Sequence, residues 1–467
     1  MPSCVPSAPG LETPGASIGP DEVAEAMTWP GIIGLGEMMN FPGVFLGDEK
    51  MHAEMAATMA ARKVVGGHYA SPDLGRAFHG YVAGGPADDH EGTRLEDAVA
   101  RVRQGMKAML RYGSAWHDVA AQVKAITDLG LDGRNFILCT DDSHSGTLVG
   151  EGHMDRVLRH AIAEGLPPVT AIQMATLNTA LHFGVERDLG SITPGRLADI
   201  VITGDLSALP IELVIAHGQV LAENGRILVD IPPYSYPDFA VGTVKLGKRL
   251  EAGDFNIRVK VDEVPGSRFQ VPGEERSSLA PVRVIGVVEN QAPTRALEAA
   301  LPVVDGVIGM DAAADVCQIA LVERHRATGK VVNGFVSGFG FNVPCAVASS
   351  VAHDSHHMIV VGTDKGDMAR AANRLGEAGG GVVVFREGRE IALVELPIAG
   401  LMSNERAEVV AAKAERMVAA FAECGCTLHN AYMQLSLLAL VVIPELRISD
   451  RGIVDVRSFE VVELVAI

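Results

Sequence analysis

Between Glu22 and about Gly184, short apolar runs alternate with amphipathic stretches, and this alternation limits the fold more than any other feature of the chain. Ile32–Leu35, Lys63–Val65, Gly80–Ala83 and Phe136–Cys139 read as strands, each running into polar residues or glycine. His52–Arg62, Arg94–Arg111, Ala120–Leu129 and His153–Glu164 carry helical periodicity between them. Alternating strands and helices predict a parallel sheet covered by helices, with chemistry gathered at the carboxyl ends of the strands.

The texture changes near Asp188. Short apolar runs separated by Pro194-Gly195, His217-Gly218 and Asn224-Gly225 predict a small antiparallel module. Asp230 to Pro281 is rich in proline, glycine and charge and reads as a linker with a few strands. From Val282 a second alternation begins, with strands near Val282–Val288, Gln318–Val322, His357–Val361, Gly381–Phe385 and Glu390–Glu395. Helical patterns at Lys365–Ala378 and Ala407–Cys424 separate them. The expected domains are therefore 1–184, 185–230, a linker 231–281, and an α/β domain 282–467.

Composition narrows the partners. Thirty-nine basic against 58 acidic residues give a net charge of −19, which argues against nucleic acid and anionic membranes. The best apolar run, Leu435–Pro444, is far shorter than the ~20 residues of a spanning helix. The first residues have no basic or apolar segment of the signal-peptide kind. Six cysteines (Cys4, Cys139, Cys317, Cys345, Cys424, Cys426) are scattered without a Cys-x-x-Cys pair, so a reducing cytoplasm is expected.

Ionisable residues follow the predicted strands four times: Glu37; His68; Asp88-Asp89-His90-Glu91; and Asp141-Asp142-Ser143-His144. A parallel barrel would bring these ends to one mouth. Two imidazoles with carboxylates suit iron, manganese or zinc better than calcium. Singly, each has a plainer explanation: a capped turn, a solvated carboxylate or a helix N-cap. Four in the order Glu, His, His, Asp favour a metal site. The later His353-Asp354-Ser355-His356-His357 cluster reads either as a second metal or catalytic set or as a polar turn before a buried strand.

That order of ligands resembles the amidohydrolase superfamily of metal-dependent hydrolases, and Ala175–Ile202 is similar to its closing helix and return to a β-sandwich. GLGEMMNFPGV (Gly34–Val44), DDHEGT (Asp88–Thr93), CTDDSHSGTLVGEGHMD (Cys139–Asp155) and VAHDSHHMIVVGT (Val351–Thr363) resemble the bacterial adenine deaminases, over essentially the whole chain. The resemblance implies an α/β fold: a (β/α)8 TIM-like barrel, a small β-sandwich module and a C-terminal α/β domain that covers the barrel mouth or forms a subunit contact. It implies a binuclear centre of Mn2+ or Fe2+, with Zn2+ as an alternative, in which Glu37 bridges, His68 and His90 bind the second metal and Asp141 the first. Glu37 and Asp141 would be the catalytic groups. Asp89, Glu91, Asp142, His144, His353 and His356 would support them or touch substrate. The implied reaction is adenine plus water giving hypoxanthine and ammonia. An amidine carbon needs a strong nucleophile, and a metal supplies one by lowering the pKa of water to about 7. Asp141 would move the proton.

The sequence departs from that pattern. A complete barrel takes ~250 residues, and about 184 precede the sandwich return, so an incomplete barrel is expected. The superfamily's His-x-His pair is absent from the chain. The chain is expected to start near the fourth barrel strand, which leaves three readings: a longer natural protein, a truncation with an open sheet edge, or a non-catalytic relative used for binding or assembly. Within enzymes, the rival is another amidohydrolase acting on a cyclic amide or aminopurine. The expected partner is a small molecule, adenine, and an open edge favours a homo-oligomer.

Overall fold

In the computed structural model, five short parallel strands follow one another in sequence and in space: β1 (Gly34–Met38), β2 (Val64–Gly67), β3 (Asp88–Asp89), β4 (Lys107–Arg111) and β5 (Phe136–Cys139). The structure describes residues 1–259, 278–289 and 291–466. Pairing joins β1 to β2 and β3 to β4 and β5, and the Ala87 amide donates to Val65 O at 2.8 Å between β2 and β3. Helices cross between successive strands, as parallel pairing requires. Leu35, Val65, Ala108, Leu110, Phe136 and Leu138 are buried, so the strand interiors are apolar and their polar ends reach the rim.

Two sequence expectations fail here. Gly80–Ala83 is not a strand but lies within the helix Arg76–Gly84, where Phe78 and Tyr81, three residues apart, are both buried on one face. Arg94–Arg111 is not one helix. Its helix stops at Arg103, Gly105 takes a left-handed φ of 87°, and the last five residues form β4.

β6 (Ile200–Thr203), β7 (Ile211–Ala216), β8 (Gln219–Glu223) and β9 (Arg226–Ile227) then make an antiparallel sheet in that order. His217-Gly218 and Asn224-Gly225 join three of these strands with positive φ at both turn residues, as two-residue hairpins require.

By contacts the chain divides into two units, Met1–Val5 with Ile18–Ser235, and Pro6–Ser17 with Tyr236–Ile467. The second is built on a nine-stranded sheet. Its strands are β10 (Ser278–Gly286), β11 (Arg295–Val304), β12 (Val307–Ile308), β13 (Val316–Val322), β14 (Val331–Ser337), β15 (Cys345–Ser349), β16 (Met358–Gly362), β17 (Gly381–Arg386) and β18 (Arg389–Glu395). Their order is β12-β11-β10-β14-β13-β16-β15-β17-β18. Every residue of β13 is buried, and its side chains alternate between two cores. Cys317, Ile319 and Leu321 pack with Met417, Phe421 and Leu435, while Ala320 and Val322 pack with Met368, Ala372 and Leu375. Helices 365–378 and 407–423 thus cover opposite faces. A three-stranded sheet of β19 (Leu446–Ser449), β20 (Gly452–Asp455) and β21 (Glu460–Val462) follows.

Candidate metal centre and active site

Glu37 lies on β1, His68 directly follows β2, and His90 and Glu91 follow β3. The in-order succession of those strands is what brings Glu37, His68 and His90 together. Glu37 Oε2 is 3.0 Å from both His68 Nδ1 and His90 Nε2, and the two ring nitrogens are 3.4 Å apart. Ligands about 2.1 Å from one ion sit about 3.0 Å apart when cis in an octahedron and about 3.4 Å apart in a tetrahedron. The triangle of one carboxylate and two imidazoles therefore fits one divalent first-row cation. A second group, His90, Glu91 and Asp141, brings its ligand-type atoms within 4.8 Å of one another.

Charge within the site is organised around one arginine. Arg111, the last residue of β4, is buried, and its Nη1 donates to Glu91 Oε1 at 2.5 Å and to Asp141 Oδ2 at 2.7 Å, while Nε donates to Asp118 Oδ2 at 2.9 Å. Burial opposes ionisation of Glu91, but Arg111 above all, then His68 and His90, bring its carboxyl down to about 2. Burial likewise opposes charge on His90, yet the hydrogen bond and charge of Glu37 carry it up to about 10. Glu37 is held well below the usual carboxylate range by the two imidazoles, against its own desolvation. The site is thus arranged to hold ionised carboxylates beside groups that take up positive charge, whether protons or a cation.

Asp89 and Asp142 brace the loops that carry these groups. Asp89 Oδ2 accepts the Tyr69 amide at 2.8 Å, next to His68, and Oδ1 accepts the Glu91 amide at 2.7 Å. Asp142 Oδ2 accepts the Ser114 and Ala115 amides at 3.0 and 2.8 Å. His144 Nε2 stands 3.8 Å from that oxygen. Asp141, in the turn after β5, has a φ of 63°, a left-handed conformation that few side chains other than Asn and Asp tolerate. Asp88, which carried no separate role in the sequence reading, accepts the Gly67 amide through Oδ1 at 3.0 Å and meets His182 Nε2 at 2.6 Å through Oδ2.

Sequence reasoning missed Arg111 and Asp118. Arg111 was absorbed into a helical pattern, and only the glycine at 105 signalled that the pattern breaks.

His353 and His356 belong to the second unit, in the turn between β15 and β16. Their ligand-type atoms and that of Asp354 lie within 4.8 Å of one another. His356 Nδ1 accepts the Ala352 amide at 3.3 Å, which leaves the ring proton on Nε2, facing Asp354 Oδ1 at 3.9 Å. His357 Nε2 donates to Thr13 O, and His325 Nε2 to Ser355 O, both at 2.8 Å. These bonds stitch the turn in place.

Parallel strands thus carry at their ends a carboxylate–imidazole cluster that could hold a metal ion, and residues 91–221 match the amidohydrolase family model. Residues 291–460 match the adenine deaminase C-terminal domain. The chain is 68% identical to adenine deaminase 3 of Rhizobium meliloti (strain 1021), over all of this chain and 76% of that protein. It is 67% identical to an adenine deaminase of Mesorhizobium japonicum, over 99% of this chain and 74% of that protein. An adenine deaminase of Moorella thermoacetica is 48% identical over all of this chain and 76% of its own length. The chain belongs to the adenine deaminase family and spans about three-quarters of the length of these relatives. Among solved structures, a beta-aspartyl dipeptidase of Fervidobacterium islandicum AW-1 is 16% identical, with a TM-score of 0.35 over 45% of this chain and 63% of its own. No helix among the described residues is long and apolar enough to cross a membrane.

Proposed function

We propose that this chain hydrolyses adenine to hypoxanthine and ammonia at the centre formed by Glu37, His68, His90 and Asp141. The observation that carries the reading is the convergence of Glu37 Oε2, His68 Nδ1 and His90 Nε2 within 3.0–3.4 Å, in a chain of the adenine deaminase family. Those three residues would hold one cation, and Asp141 with Glu91 would face a second. Manganese or iron(II) suits two imidazoles with carboxylates, and zinc is the alternative. A bound divalent ion supplies Lewis acidity and a nucleophile at neutral pH. Around it, the side chains divide the remaining work. Asp141 takes the proton of the attacking water and returns it to a purine nitrogen or the departing amine. Arg111 keeps Glu91 ionised and holds Asp141 through the same nitrogen. Asp89 fixes the loops on which His68 and Glu91 sit.

The test measures ammonia released from adenine, from other aminopurines and from hydantoins, by the chain supplied with Mn2+ or Fe2+. Adenine is the expected substrate. His68→Ala and His90→Ala are each expected to lower bound metal to less than half of the parent's value. Metal bound without adenine turnover, but with turnover of another compound, would replace the substrate. Fewer than one metal per chain and no turnover would favour a binding or assembly role.

A further inference from the structure

We propose that Arg111 is a positioning residue of this centre, a buried guanidinium that pins the Asp141 carboxylate, together with Glu91, in the orientation that proton transfer requires. The inference rests on the functional reading above and adds to it a residue that acts through Asp141.

Three features of the geometry carry it. First, Arg111 is itself fixed. Its carbonyl accepts the Asp118 amide at 2.9 Å, its Nε donates to the Asp118 carboxylate at 2.9 Å, and its guanidinium carbon lies 5.7 Å from the Trp116 ring centre. Second, a single nitrogen, Nη1, is shared between Glu91 Oε1 at 2.5 Å and Asp141 Oδ2 at 2.7 Å. Two carboxylates that both reach the His90 group would otherwise repel each other, and the shared donor holds them together. Third, Asp141 needs an anchor. It is an exposed turn residue with a left-handed φ of 63°, so its own backbone does not fix the side chain.

The charge count also separates this arrangement from an ordinary buried ion pair. One guanidinium faces three carboxylates, Glu91, Asp118 and Asp141, so the cluster stays net negative and still attracts a cation. A lysine could supply the charge at this position but not the fork that serves Asp118 on one side and the shared carboxylates on the other.

The experiment is a double-mutant cycle of Arg111→Met and Asp141→Asn, read in two ways on the full chain. In adenine turnover, Arg111→Met is expected to lower kcat ~100-fold with KM within about threefold. Arg111→Lys should recover less than a tenth of the lost rate. The double variant should be no slower than the slower single one, because both substitutions remove the same function. In thermal unfolding of the metal-free chain, the same cycle should be non-additive. Asp118→Asn, which frees Nε alone, is expected to lower kcat about tenfold and serves if Arg111→Met does not fold.

A raised KM with unchanged kcat would make Arg111 a substrate contact and overturn the proposal. So would additive effects in either readout, or full activity of Arg111→Met. If the parent chain binds metal but does not act on adenine, the functional reading fails. The unfolding cycle then still decides the Arg111–Asp141 linkage: non-additivity supports it, and additivity overturns it.

Discussion

Glu12 is 2% exposed, and its Oε1 accepts the Ser7 hydroxyl at 2.7 Å and the Ala8 amide at 3.0 Å, while Oε2 is buried with no hydrogen-bond partner among the described residues. Burial, with the Asp354 charge added, pushes this carboxyl from 4.5 up to about 7. The folded chain therefore holds a proton that the unfolded chain releases. The resulting stability is present below the unfolded value of 4.5 and is lost as pH rises through about 7. The full difference is about 3 kcal/mol. Glu12→Gln mimics the protonated form, so it should raise Tm at pH 8 and leave it nearly unchanged at pH 4.5. Equal shifts at both pH values would show that Glu12 is not the group responsible. At the same scale, His68 and Asp141 lie just after strand runs that the sequence shows, and Glu37 lies within β1, whereas the run expected before His90 is a helix and β3 is only two residues long. Asp89 was legible as a residue of the site, but its bracing of two loops through backbone amides depends on which amides the fold presents to it. Arg111 was not legible, because its neighbours read as a helix.

Among elements, β13 is the most informative. Six of its seven residues are apolar and all seven are buried, and Ile319 and Ala320 enter different cores. Ile319→Ala removes a fully buried side chain from a central strand and should cost about 2–5 kcal/mol, seen as a lower denaturation midpoint with unchanged slope. A cost below about 1 kcal/mol would mean that the sheet collapses around the gap. The helix Lys365–Ala378 and the strand Phe136–Cys139 were readable to the residue from periodicity and flanking polar residues. β11, β14 and β15 were not. Arg295–Val304 carries four alanines or leucines in its first six residues, a composition that suits helices, and it becomes a strand through nine paired positions with β10. β3 is two residues long, too short for any periodicity.

At the scale of the whole chain, the second unit contains a segment from each end. Pro6–Ser17 groups with residues beyond Tyr236. The Thr13 amide donates to Asp450 Oδ1 at 2.8 Å, its hydroxyl donates to Oδ2, and its carbonyl accepts from His357. The two bonds to Asp450 join residues 437 apart in sequence, and Asp450→Ala removes both. The expected result is faster amide hydrogen exchange confined mainly to residues 6–17, with a Tm lower by a few degrees. Exchange unchanged from the parent would mean that the segment is held by its other contacts.

The sequence by itself determined the hairpin turns and the family, because these depend on residue type at short spacing. It also carried the absence of a His-x-His pair. Only the tertiary structure decided that Arg111 serves three carboxylates, that Asp89 braces two loops, and that Glu12 and Thr13 join the C-terminal unit. Each of those relations links residues whose separation in sequence says nothing about their separation in space. Parallel pairing, burial and the direction of a side chain set them, and none of these is a local property of the chain.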